Sequence, residues 1–474
     1  MHLTEVHVPV ARLDRFAPLL GQERAAELES CARAASSGFE GRTVWNVNST
    51  ATGGGVAEML AALLPYARGA GIDARWMVIA GDPSFFAITK RVHNGIHGVA
   101  GPKLFDAEDR ARYEAVAHAN AEELLAEVRD GDVVILHDPQ TAGLVEAMAA
   151  AGARVVWRCH IGIDRPNEVV RDSWAFLRPY LEHAHTFVFS RRAHVPDWVT
   201  TGKVAIIPPS IDPFAVKNAE MDPATTRAIL AHVGVVQGDG GDAPPVFTRR
   251  DGSPGRVDHR ADIIRTGPAP SSETPLVVQV SRWDRLKDMQ GVMTAFAEHL
   301  DPGLDAHLAL VGPNVSGVTD DPEGGEVLDE CHRRWRELPH AERSHVQLVC
   351  LPMYDLEENA AIVNALQRHA VVVVQKSIAE GFGLTVAEAM WKARPVVASA
   401  VGGIVDQIEN DRSGLLLADP TDGASLGAAL GRLLGDPDLA ARLGAAAKER
   451  VTGAFLGERH LRQYAELLGN LIDG

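Results

Sequence analysis

Short β-branched runs alternate with longer amphipathic stretches twice along this chain, and that alternation restricts it to parallel-sheet architecture. In the first half the apolar runs fall at Thr43–Val47, Arg75–Ala80, Val133–Leu136, Arg154–Arg158, Thr186–Phe189 and Val204–Ile207. Helix-type stretches such as Ala107–Val128 and Thr141–Ala151 lie between them. Strands that are apolar nearly throughout, separated by helices, belong to a parallel sheet covered on both faces. The pattern stops over Gly238–Ser272, where GDGGDAPP and GPAPSSETP carry little periodicity. That segment is expected to be a disordered surface loop, too polar to pack a core, rather than a functional lid. Alternation resumes at Leu276–Val280, His307–Val311, Val346–Leu351, Val371–Val374 and Val396–Ala398, with helix patterns at Met289–His299, Gly325–Leu338, Asn359–Arg368 and Val386–Ala393. The tail Phe455–Ile472 is one more amphipathic helix. The expectation is an α/β protein of two Rossmann-like domains, with a ligand in a cleft facing the carboxyl ends of the strands.

A length of 474 residues suits two such domains. The net charge of −17 argues against nucleic acid or an anionic membrane as a partner, since both reward a basic face. It leaves room for a local basic pocket that takes one anion. Cys31, Cys159, Cys331 and Cys350 include no C-x-x-C pair, so neither a disulfide framework nor a zinc site is expected from them. Met1–Phe16 has no uninterrupted apolar core, and no run approaches the ~18 apolar residues of a membrane span. A soluble cytoplasmic protein is the expectation.

Three stretches carry chemistry. The first strand runs into VNSTATGGGVAEML, where Gly53, Gly54 and Gly55 precede a helix. Orphan amides and the helix dipole favour an anion there, although a tight turn needing positive φ would also use glycine. The spacing is neither the dinucleotide nor the Walker pattern. Beyond the strand Leu276–Val280 comes SRWDRLKD, with Arg282 and Lys287 leaving a buried strand. They are either a solvated basic pair or a diphosphate clamp, and their place in an acidic chain favours the clamp. The third stretch is QKSIAEGFGLTVAEAMWKARPVV. Glu380 and Glu388 have seven residues between them, on a strand, turn and helix that can aim both into one pocket. Two carboxylates could be a hydrolase pair, but EGFGL opens a helix whose amides suit a phosphate or sugar hydroxyls. Val401-Gly402-Gly403-Ile404 repeats the layout and is expected to line the same cleft.

SRWDRLKD, the Glu380–Glu388 element, the PPSID turn at Pro208–Asp212 and the AVGGI loop together resemble the family-4 retaining nucleotide-sugar glycosyltransferases. Within that family the chain is most similar to the glycosyl-transferring trehalose synthases, on WNVNSTATGGGVAEML, ITKRVHNGIHG, LHDPQTAGL, WRCHIG and QKSIAEGFGLTVAEAMWK. The match runs from about Val44 to the C-terminus, Gly238–Ser272 excepted. The resemblance implies a GT-B fold: an acceptor-binding domain over 1–212, with 455–474 packing back onto it, and a nucleotide-sugar domain over 213–454. It implies that Arg282 and Lys287 hold the donor diphosphate. Glu380, with the amides of Phe382, Gly383 and Leu384 and with Thr385, would hold donor sugar and phosphate. Glu388 would bind the ribose, and Gly54 and Gly55 would close on the phosphate. His160 matches a family histidine near the donor sugar, though the residue alone could equally be a packed core histidine. Asp138, Lys90, Asn94, Asn48 and Trp45 would meet an acceptor glucose. Two departures touch loop conformation: Asp288 stands after Lys287 where the family often has Gly, and Ser210 replaces the usual Gly of the PPSID turn.

The implied reaction transfers glucose from ADP-, UDP- or GDP-glucose to free glucose, giving α,α-1,1-trehalose reversibly, with no required cofactor or metal. The implied partners are NDP-glucose, glucose, trehalose and a second copy in a homodimer. Rival readings are a retaining trehalose phosphorylase, against which the ribose partner Glu388 weighs, and a synthase using glucose 6-phosphate, which Lys90 and Arg91 keep open. A nicotinamide oxidoreductase lacks its glycine fingerprint. A non-catalytic sugar-binding protein does not need the intact Glu380–Glu388 element.

Overall fold

The structure is a computed structural model that describes residues 2–52, 54–101, 103–238, 243–315 and 322–473. The chain divides into two compact units, Met1–Ile211 with Phe455–Gly474, and Asp212–Ala454. The first unit holds strands β1 (Thr4–Val6), β2 (Thr43–Asn48), β3 (Asp73–Val78), β4 (Val133–His137), β5 (Arg154–Cys159), β6 (Thr186–Phe189) and β7 (Val204–Ile206). They form one sheet in the order β1-β3-β2-β4-β5-β6-β7, parallel except for the short edge strand β1. Chain order reverses between β2 and β4, and a doubly wound sheet binds its ligand at that reversal, beyond the carboxyl ends. Every residue of β4 is buried, as a β-branched run sandwiched between helix layers must be.

The second unit contains the hairpin β8 (Val246–Thr248) and β9 (Pro254–Arg256), then β10 (Asp262–Ile264), β11 (Leu276–Val280), β12 (His307–Pro313), β13 (Val346–Leu351), β14 (Val372–Gln375), β15 (Val396–Ser399) and β16 (Leu415–Leu417). Its main sheet runs β10-β13-β12-β11-β14-β15-β16, with β10 antiparallel on the edge. The six parallel strands have the Rossmann order, with the reversal between β11 and β14.

Two expectations are corrected. The segment expected to be disordered carries the hairpin and β10 across its described residues 243–272. Its polar residues are what hold it: Arg249 pairs with Asp355 and Glu357, and Glu358 accepts the backbone N–H groups of Asp258 and His259. The helix expected over Thr141–Ala151 is broken into a turn Asp138–Thr141, a 3-10 turn Ala142–Leu144 and a helix Val145–Ala150. Tyr113 causes the break, its hydroxyl donating to the Pro139 carbonyl and accepting from Gly143 N. Ahead of β2, Ala17–Gly38 forms a helix whose Ala35 packs in one cluster with Leu468 of the C-terminal helix Gly457–Asp473. No described helix is long and apolar enough to cross a membrane.

Helix contacts in the second unit depend on missing side-chain volume. On the helix Gly423–Gly435, a Cβ at Gly427 would stand 2.4 Å from His299 Cβ and 2.7 Å from its carbonyl oxygen, whereas one at Gly431 meets nothing within 4 Å. Gly427→Ala is therefore expected to lower stability by about 1–3 kcal/mol, and Gly431→Ala to raise it by about 0.5–1 kcal/mol. Urea titration of both variants checks this; equal signs would refute the packing.

Candidate active site

At the reversal of the second sheet, β11 and β14 are neighbours and deliver adjacent loops. Beyond β11, Trp283 is buried and donates to the Pro313 carbonyl, which anchors the loop and leaves Arg282 exposed, 3.4 Å from Asp284 Oδ2. Lys287 Nζ donates to Glu380 Oε2 at 2.5 Å, and Ser377 Oγ donates to the same oxygen at 3.2 Å. The structure thus brings Arg282, Lys287 and Glu380 to one end of one sheet. Gly383 caps the helix Leu384–Trp391 at φ 84° with no side chain over its first turn. Its neighbours Phe382 and Leu384 are buried and half-buried, and Thr385 donates to Gln375 Oε1 at 2.9 Å. The Gly402-Gly403 turn packs directly on this loop: Gly403 N donates to the Gly381 carbonyl, and a Cβ on Gly402 would lie 1.6 Å from the Glu380 oxygen.

Asp288, the departure from glycine, adopts a left-handed conformation, φ 47° and ψ 47°. Aspartate tolerates that region, which glycine enters freely. The side chain adds a helix cap on Gly291 N and an ion pair with the buried Lys376. The second departure, Ser210, contacts His460 Nδ1 at 3.1 Å and ties the PPSID turn to the C-terminal helix.

Glu388 lies on the same helix as expected but has different partners from Glu380. Its Oε1 is 3.6 Å from Lys217 Nζ, and its Oε2 is buried with no hydrogen-bond partner among the described residues. Beneath it, buried Lys392 donates to Asn218 Oδ1, Gln367 Oε1 and the Glu388 carbonyl. Burial lowers the Lys392 ammonium to about 7, with Glu388 opposing.

In the first unit, β2 leads to Gly54, which caps the helix Gly55–Gly69 at φ 82°, again without a capping side chain. Gly53 lies outside the described residues. At the end of β4, His137 and His160 stack with ring centroids 5.3 Å apart, His137 Nδ1 facing His160 Nε2 at 3.0 Å. Asp138 is held at φ 64° with Oδ1 accepting the His160 N–H at 2.7 Å. Burial raises the Asp138 carboxyl to about 7, and lowers His137 to about 3 and His160 far below the usual imidazole range. Arg158 opposes the first shift and adds to the other two.

One acceptor assignment, Trp45, is corrected, and another, Asn48, has partners inside the fold. Trp45 is 2% exposed and points to the amino end of the sheet, its indole donating to Asp132 Oδ2 at 3.0 Å and lying under Arg75. Asn48 is buried, with Oδ1 taken by Trp76 and Nδ2 donating to the Thr50 carbonyl, so it shapes the turn after β2. Lys90 is exposed on the helix Pro83–Ile96, and Asn94, half-buried on the same helix, contacts His93. Neither touches the His137–His160 pair. Sequence reading missed Lys376, Ser377, Lys217, His137 and Arg158. A polar residue closing an apolar run, as in VVVVQKS and VVILHD, was the available signal.

Both halves of the chain match known protein families. Residues 261–450 match the model for glycosyl transferases group 1, and residues 46–196 match the trehalose synthase N-terminal domain. A trehalose-phosphate synthase from Burkholderia xenovorans, solved with glucose-6-phosphate, superposes with a TM-score of 0.65 at 16% identity, covering 92% of this chain and 100% of that one. Fold and site therefore define a GT-B glycosyltransferase. The trehalose synthase of Pyrococcus horikoshii is 33% identical over 97% of this chain and 96% of its own length. That of Rubrobacter xylanophilus is 35% identical over 92% of each. The chain belongs to the trehalose synthase family, and it is a hexosyltransferase.

The Asp138 carboxyl gives a pH test. Its folded value is raised from 3.8 to about 7, so the native state binds the extra proton and stability falls as pH rises between those values. Asp138→Asn keeps the acceptor oxygen without the titration. Relative to wild type it should gain up to about 1.4 kcal/mol per pH unit across that window, then level off. Melting temperatures from pH 4 to 8 that track in parallel would refute the assignment.

Proposed function

We propose that the protein transfers glucose, with retention, from a nucleoside diphosphate glucose to the anomeric hydroxyl of free glucose, forming α,α-1,1-linked trehalose, and that it runs in either direction. The observation that carries this reading is the Lys287–Glu380 contact beside the glycine-capped helix at the reversal of the second sheet. A cation, a carboxylate acceptor for sugar hydroxyls and open helix amides are what a nucleotide sugar requires.

In the forward step the bond from the donor's anomeric carbon to the diphosphate oxygen breaks, and the acceptor oxygen bonds to that carbon on the same face. The acceptor proton passes to a leaving-phosphate oxygen. Arg282, Lys287 and the amides of Phe382, Gly383 and Leu384 stabilise the developing negative charge, the largest kind of electrostatic term in catalysis. Glu380, oriented by Lys287 and Ser377, accepts from donor hydroxyls rather than attacking carbon. Glu388 Oε2, without a hydrogen-bond partner among the described residues, is the acceptor for a ribose hydroxyl. In the first unit, Gly54 and Gly55 offer amides to phosphate. His160 and Asp138 recognise sugar hydroxyls, with Lys90 and Asn94 on the acceptor side. The protein cations supply the charge that a metal would otherwise provide.

Glucose supplied with ADP-, UDP- and GDP-glucose in separate reactions should give trehalose with at least one donor, identified by its anomeric NMR signals, and EDTA should leave kcat in place. Arg282→Ala should lower kcat/KM about 10²–10³-fold. Product formed only with glucose 6-phosphate, or glucose 1-phosphate released from trehalose and phosphate without nucleotide, would replace this reading with one of its rivals. Near wild-type kcat/KM in the Arg282 variant would remove that residue from the mechanism.

A further inference from the structure

The opposite end of the second sheet carries a cluster that glucosyl transfer does not use. Asp305 ends the 3-10 turn Pro302–Leu304 in a left-handed conformation, φ 45°, just before β12. His307 opens β12, and His345 immediately precedes β13. Because these parallel strands pair with Leu308 opposite Val346, the two histidines stand side by side at the amino ends, with ring centroids 4.7 Å apart. One ligand atom from each of Asp305, His307 and His345 lies within 4.8 Å of the other two.

The hydrogen bonds fix what these atoms present. His345 Nδ1 sits 2.9 Å from the Ala341 carbonyl, an acceptor only, so this nitrogen carries the proton. In the neutral ring Nε2 then offers a lone pair, and it faces Asp305 Oδ1 at 3.6 Å. An imidazole lone pair facing a carboxylate oxygen calls for a cation between them, which a proton or a metal ion can supply. Metal-bound imidazoles characteristically donate their second nitrogen to a carbonyl in this way. His307 has no side-chain hydrogen bond among the described residues. Ligands each about 2.1 Å from an ion at the tetrahedral angle are about 3.4 Å apart, so the 3.6 Å separation needs only a small adjustment.

We propose that Asp305, His307 and His345 bind a borderline divalent transition ion, of the zinc, cobalt or nickel class, with water completing the coordination. Imidazole nitrogens select this class over magnesium or calcium, which prefer all-oxygen shells. The ion clips the turn entering β12 to the turn entering β13. Its effect is on the stability of the second unit, remote along the strands from the motifs at their carboxyl ends.

The test uses the full chain without an affinity tag, stripped with chelator, dialysed and titrated with Co²⁺ by visible absorption and with Zn²⁺ by calorimetry. Expected are one site per chain, loss of the Co²⁺ spectrum in His307→Gln with His345→Gln, and at least tenfold weaker binding in Asp305→Asn. Zinc at a hundred times Kd should raise the wild-type melting temperature by about 5–10 °C, and the double variant should lose that rise. Unchanged circular dichroism and transferase activity in the metal-free variants verify that they fold. Absence of binding by wild type, or one-to-one binding that survives in the double variant, would overturn the site.

Discussion

Two glutamines inside the second sheet determine where its chemistry sits. Parallel strands buried on both faces use their backbone groups within the sheet, so a polar side chain inside them must find partners at a strand end. Gln279 of β11 donates to the Lys287 carbonyl and accepts from Lys376 N. Gln375 of β14 donates to Ser377 Oγ and accepts from Thr385 Oγ1. Both loops at the reversal are thereby fastened to adjacent strands through fully buried amides. The Lys287–Glu380 contact is consequently more than a surface ion pair, whose median worth is about 0–1 kcal/mol. Its two side chains leave backbones already fixed, and preorganisation of that kind is what electrostatic catalysis requires.

The first unit solves the same problem with different chemistry. Arg158, on β5, is fully buried; its guanidinium has no hydrogen-bond partner among the described residues, and its charge acts on the Tyr464 hydroxyl. Around it stand His137, His160 and His460, each kept neutral first by burial and further by that positive charge. A buried cation beside three neutral imidazoles gives a strand end that offers hydrogen bonds without net negative charge. Under the proposed function this suits a neutral polyol, whereas Arg282 and Lys287 suit a diphosphate. The carboxyl ends of the two sheets thus differ in the charge they present.

Much of this was legible in the sequence because apolar runs and glycine turns have local causes. The strands Thr186–Phe189, Leu276–Val280 and Val346–Leu351 coincide with their apolar runs to the residue. Glycines followed by helix patterns marked both uncapped helix starts, at Gly54 and Gly383. Failures came where a side chain's partner is distant in sequence. Trp45 belongs to Asp132, Asn48 to Trp76, and Arg249 to Asp355 and Glu357, and no local pattern announces such pairings. The substitution of Asp288 for glycine was visible, but its consequence was not, because Lys376 lies 88 residues away.

The motif SRWDRLKD contains three cations, and only the fold separates their tasks. Arg285 is surrounded by Glu323, Glu326 and Glu330 of the helix Pro322–Glu337, which raise its already high titration further. That guanidinium holds the acidic helix against the loop. Arg282 pairs with Asp284, and Lys287 with Glu380. Under the proposed function, a diphosphate approaching the carboxyl end meets Lys287 held by Glu380, whereas three carboxylates already hold Arg285. The acidity of the chain, −17 overall, is therefore spent unevenly within this motif: three carboxylates neutralise Arg285, which serves the fold, while Lys287 meets Glu380 at the end of the sheet.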